Sequence, residues 1–117
     1  MIEINRLFLD TAPLIYFLDD DENYADKMRD IFYELLTSGV KIINDAGIET
    51  APIDNRTAVK AAQIRAEYPA FKTMDALQLA SACVNFCDIF LTNDKQLCQF
   101  REIRCETVEQ FSMWLCQ

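Results

Sequence analysis

Three aspartates hold the positions in this chain where chemistry is most readily done. Asp10 closes the apolar run "RLFLD", Asp94 closes "IFLTND", and Asp75 opens the apolar stretch "MDALQLASACVNF". Two of them fall at the carboxyl ends of strand-like runs, which is where ligands gather in open α/β sheets. The third begins a helix-like run that can face them. Carboxylates brought together repel one another and need a shared proton or a cation to stay ionised. A hard divalent ion, Mg2+ or Mn2+, suits such oxygen donors and keeps several waters of its own. Chemistry of this kind serves phosphodiester hydrolysis, because the ion activates water and offsets charge on the phosphate. The competing reading is that each aspartate simply caps the helix after it. For Asp75 that reading is weaker, because Thr73 can cap a helix beginning at residue 74.

Other routes to catalysis are closed. The chain has no histidine, so neither a Ser-His-Asp nor a Cys-His arrangement exists. Five cysteines (Cys83, Cys87, Cys98, Cys105, Cys116) are an odd number and include no C-x-x-C pair. They read as buried free thiols rather than a disulfide framework or a zinc site. The net charge of −8 argues against a surface that binds nucleic acid indiscriminately. The expected setting is the cytoplasm, since no apolar run is long enough to span a membrane and the first residues lack a signal-peptide pattern.

The elements that must position the aspartates follow from periodicity. At 117 residues, half of them apolar, the expectation is one domain over residues 1–117. Strands are expected at 6–10, 40–43, 48–53, 88–94 and near 102–106. Helices are expected at 12–19, 24–38, 56–67 and 74–86, with a last amphipathic helix after Thr107. Met28, Ile31, Phe32, Leu35 and Leu36 mark the buried face of the second helix, with Gly39 as its stop. Val59, Ala62 and Ile64 mark the third, with Asn55 as its cap. Thr107 and Gln110 match a capping box. Strands alternating with helices give an α/β domain with a mainly parallel sheet.

On these residues the chain resembles the PIN domain family, which includes the VapC-type toxins of toxin–antitoxin pairs. The stretches that carry the resemblance are "LFLDTAPLIYFL", "IDNRTAVKAAQIRAEY", "KTMDALQLASA" and "DIFLTNDKQL". It implies a three-layer α/β/α fold and a metal-dependent ribonuclease using Mg2+ or Mn2+. It implies that Asp10, Asp75 and Asp94 are catalytic metal-site acids and that Thr11 and Thr92 are supporting hydroxyl positions. RNA as substrate and an antitoxin protein as partner follow from the same resemblance.

The chain departs from the family between its second and third strands. A helical pair is missing there, and with it the family's fourth acid, a glutamate. Asp45 and Glu49 lie nearby but match nothing. "NDAG" reads as a hairpin loop, making 48–53 an antiparallel edge strand and sending the next helix to the far end of the sheet. Exchange between two chains through residues 44–48 relieves that conflict, so a homodimer, domain-swapped in one version, is expected. Against the ribonuclease stands a second reading, a degenerate PIN-like module with little activity that serves in protein binding.

Overall fold

A computed structural model of the chain describes residues 4–19, 22, 25–44 and 54–115. Strand β1 (Arg6–Leu9) leads through Asp10 into helix α1 (Thr11–Leu18), and α2 (Ala25–Thr37) follows. Gly39 ends α2 in the left-handed region (φ 78°), with Val40 N–H donating to Leu35 O at 2.9 Å. A Cβ at Gly39 would meet nothing within 4 Å, so the glycine is there for its backbone angle alone. Strand β2 (Lys41–Ile43) comes next, then α3 (Asn55–Glu67), α4 (Thr73–Val84) and β3 (Ile89–Thr92). A short 3-10 turn (Lys95–Gln99), β4 (Arg104–Thr107) and α5 (Val108–Leu115) complete the order.

The four strands form one sheet in the order β2-β1-β3-β4, and every described pairing is parallel. Strands of such a sheet are covered on both faces, which explains their continuous apolar runs. Phe8 and Phe90 project to one face and stack at 5.4 Å between ring centroids. They meet Ala61 and Ile64 of α3 and Ala76, Leu79 and Ala80 of α4. Leu7, Leu9, Ile89 and Leu91 project to the other face, against Leu14, Met28, Ile31, Leu35 and Phe111. The result is the three-layer α/β/α arrangement expected. The expected strand at 48–53, the loop "NDAG", and Asp45 and Glu49 lie outside the described residues, apart from Asn44.

Several expectations shift. The first turn of α3 is capped by Asp54, which accepts from Thr57 N at 3.0 Å, and Asn55 is already helical. That cap turns Thr57, Ala61 and Ile64 inward and leaves Val59 and Ala62 exposed. Leu36 of α2 is likewise 63 % exposed. Helix α4 stops at Val84, with Phe86 rather than a glycine taking the left-handed turn (φ 57°). The capping box holds in both directions, Gln110 N to Thr107 Oγ1 at 3.2 Å and Thr107 N to Gln110 Oε1 at 3.1 Å.

The direction of α3 and α4 bears on where the chain enters the carboxyl end of the sheet. α3 and α4 pack side by side, and Lys60, early in α3, lines one cleft with Cys83 and Phe86 at the end of α4. The two helices are therefore antiparallel. A chain delivered to the far end of the sheet climbs back along α3 and starts α4 at the carboxyl end. In the one chain described, β1 pairs with β3. No helix among the described residues is long and apolar enough to cross a membrane.

Candidate active site

Asp10 is the first residue past β1 and is only 8 % exposed. Its backbone N–H donates to Leu91 O at 2.9 Å, continuing the β1–β3 ladder by one residue. Alternation along the strand places its side chain on the Phe8 face, toward α4. Both carboxylate oxygens are held. Thr11 N–H donates to Oδ1 at 2.7 Å, and the buried Thr92 hydroxyl donates to Oδ2 at 2.7 Å. The same Thr92 oxygen accepts the Asp94 backbone N–H at 3.0 Å. One hydroxyl thus fixes the Asp10 side chain and the Asp94 main chain together. At Thr11 the contact to Asp10 is through the backbone N–H.

Asp94 follows β3 and accepts Gln96 N–H at 3.0 Å, opening the 3-10 turn. Asp75 is the third residue of α4. The residue before the helix, Lys72, lowers its carboxyl through both its charge and its backbone N–H, without reversing a net rise. Thr73 is not the cap; it is the first helical residue, and Lys72 before it makes no side-chain cap bond. Asp10 and Asp94 do accept backbone N–H groups of the residues after them. What a cap alone does not explain is their mutual electrostatics.

Burial pushes the Asp10 carboxyl above its usual 3.8, and the charge of Asp94 adds to the rise. The Thr92 hydroxyl, the Thr11 amide and the Gln78 carboxamide oppose it. Asp75 is raised by burial first, then by the charges of Asp10 and Asp94, against a lowering from Lys72. The structure thus brings all three sequence-predicted acids to one pole of the sheet, each within electrostatic reach of another. It does not close them into a cage. Among the described residues no three acidic or thiol side chains converge on a single ion position.

Two polar groups at this pole were not singled out from the sequence. Gln78 is 7 % exposed and sits one turn beyond Asp75 on α4. Asn44 is fully buried at the end of β2, and its side-chain N–H2 donates to Leu9 O, tying that strand end to β1. The signal for Gln78 was present: it is the only amide between Asp75 and Val84.

A family model of the PIN domain matches residues 39–103, which include Asp75 and Asp94. The chain belongs to the PIN domain family, whose members are in general metal-dependent nucleases. No curated protein matches the chain.

Proposed function

We propose that the 117 residues act as one PIN domain, a divalent-metal-dependent ribonuclease of the toxin–antitoxin type. The observation that carries this is the Thr92 hydroxyl, which locks Asp10 at 2.7 Å and the Asp94 backbone at 3.0 Å at the carboxyl ends of two adjacent strands. A buried aspartate whose neighbours are two more aspartates is costly to keep ionised, and a bound cation removes that cost. The donor set is all hard oxygen and fits Mg2+ or Mn2+ in an open site, with one or two carboxylates and water making up the coordination. Asp10, Asp75 and Asp94 would hold the ion, which when bound activates water and offsets phosphate charge.

The chain's own residues supply the rest. Thr92 and the Thr11 N–H hold both Asp10 oxygens in place and oppose, without reversing, the rise that burial gives its carboxyl. Asp75 enters from the first turn of α4, close enough to Asp10 and Asp94 for their charges to raise its carboxyl. Leu9 and Leu91 behind the acids are fully buried and exclude water from that side. RNA as substrate, a cognate antitoxin protein and a homodimer belong to the same proposal, as does a cytoplasmic setting. The dimer is tested by light scattering, where a mass of one chain at all concentrations removes it.

The test of activity is cleavage of a labelled single-stranded RNA with Mn2+ or Mg2+, run beside Asp75→Asn. Cutting by the parent alone, abolished by chelation, supports the ribonuclease. The failure of three acids to enclose an ion position favours the second reading, a binding module that has lost catalysis. No cutting by the parent, with the fold intact, selects that module.

A further inference from the structure

Two helices on opposite sides of the sheet carry the same pattern with opposite charge. On α2, Asp30, Tyr33 and Glu34 stand at i, i+3 and i+4, and all three are exposed, Tyr33 at 69 %. On α3, Arg56, Val59 and Lys60 stand at the same spacing, with Arg56 and Val59 exposed and Lys60 half-buried. Residues so spaced share one face of a helix. Each triplet is an apolar side chain between two like charges, acidic on α2 and basic on α3. Like charges at i, i+4 repel within their own helix, and a face of opposite charge relieves both. Each triplet also lines a cleft, the first together with Ser112 and Leu115 of α5, the second with Gln63 and Val84.

The acids of α2 are not spent within the fold. Among the described residues neither Asp30 nor Glu34 enters an ion pair. On α3, Lys60 is held by Glu102 at 2.8 Å. Arg56 is freer: its side chain is 74 % exposed and reaches Asp54 only at 3.5 Å. Asp54 is itself engaged in capping the helix through Thr57. An exposed pair of that kind contributes little and is readily exchanged. Helix α3 carries three cations and one anion in a chain of net charge −8, so its outer face is where the acids of another copy are attracted.

We propose that a second copy of this chain docks the acidic face of its α2 onto the basic face of α3. With the two helices antiparallel, Glu34 meets Arg56, Tyr33 covers Val59 and Asp30 falls near Lys60. The proposal rests on the self-association named above and adds which surfaces carry it. Helix α2 packs inward on the Leu7 and Leu9 side of the sheet and α3 on the Phe8 side, so their outer faces look away from each other. A two-fold axis needs both patches in one interface, which these cannot share. The copies therefore stack head to tail, each leaving one face open for the next. The stack runs through the helix layers and leaves the acidic pole at the strand ends uncovered.

The experiment is sedimentation velocity of the full chain over a range of concentrations, at low and at high salt. It compares the parent, Glu34→Arg, Arg56→Glu and an equimolar mixture of the two variants. Urea unfolding of each variant checks the fold, and both are expected near the parent because the replaced side chains are exposed. The parent's mass is expected to rise with concentration past that of two chains and to fall back as salt screens the exposed charges. Each reversal sets like charges face to face and is expected to weaken association by about tenfold or more. The mixture is expected to regain it, because each variant offers the other the charge it lacks. Association unchanged in both variants overturns this pairing of faces and leaves the homodimer standing. A mixture as weak as its folded components also overturns the pairing. A mass of one chain at every concentration overturns both.

Discussion

Replacing Thr92 by valine removes one oxygen and almost nothing else. The side chain is fully buried in β3, and valine has the same shape and an equal liking for strands. Two bonds go with the oxygen. The first is the 2.7 Å bond to the Asp10 carboxylate, charge-assisted and worth about 2 kcal/mol. The second is the 3.0 Å bond from Asp94 N–H, whose loss leaves a part-buried donor unpaired at a cost of about 1 kcal/mol. Together Thr92→Val should lose about 3 kcal/mol, a large share of the 5–15 kcal/mol that holds a domain together. For a chain of this size the melting temperature falls by roughly 10–15 °C. Thr92→Ser keeps the hydroxyl and loses a methyl, at about 1 kcal/mol. Urea unfolding at pH 7.5 in EDTA measures both. Equal losses in the two variants, or a loss below about 1 kcal/mol in Thr92→Val, would refute the claim that this hydroxyl organises the site.

The raised carboxyls of Asp10 and Asp75 set the sign of a pH effect. The folded chain holds those protons more tightly than the unfolded chain, so metal-free stability should rise as pH falls from neutrality toward 4. Loss of stability between pH 7 and 5 in EDTA would contradict this. At the end of α4, Phe86 sits at φ 57° with its ring 80 % exposed. Phe86→Gly should therefore be more stable than Phe86→Ala by about 1 kcal/mol, because alanine keeps the Cβ that the left-handed turn resists. Equal stability of the two by thermal melting would show that this turn carries no strain.

Where a residue type has one structural use, the sequence could be read directly. Gly39 ended a helix because only glycine turns left-handed without strain, and it does so. The same turn after α4 is made by Phe86, which carries no such mark, and the helix was accordingly drawn two residues too long. Asp54 and Asn55 are equally good caps side by side. The expected apolar positions of α3 included Val59 and Ala62, both of which face solvent, while Ile64 is buried. Asp10, Asp75 and Asp94 were visible because acids in apolar runs stand out. Gln78 did not stand out, since an amide is neutral and is buried only once α4 lies against the sheet. The expectation of chain exchange came from reading the short loop after β2 as a hairpin that sends the next helix to the far end of the sheet. Periodicity shows two helices there, but not that they form an antiparallel pair.

The central position of β1 bears on the time at which the domain becomes itself during synthesis. Its first neighbour, β2, is made about 35 positions later, but its second, β3, arrives only with residues 89–92. At ribosomal rates of 5–20 residues per second, β1 waits roughly 4–16 s with one edge open. The bond between Asp10 and Thr92 spans 82 positions and cannot form before then. The acidic pole of such a chain is assembled only once residue 94 has been made.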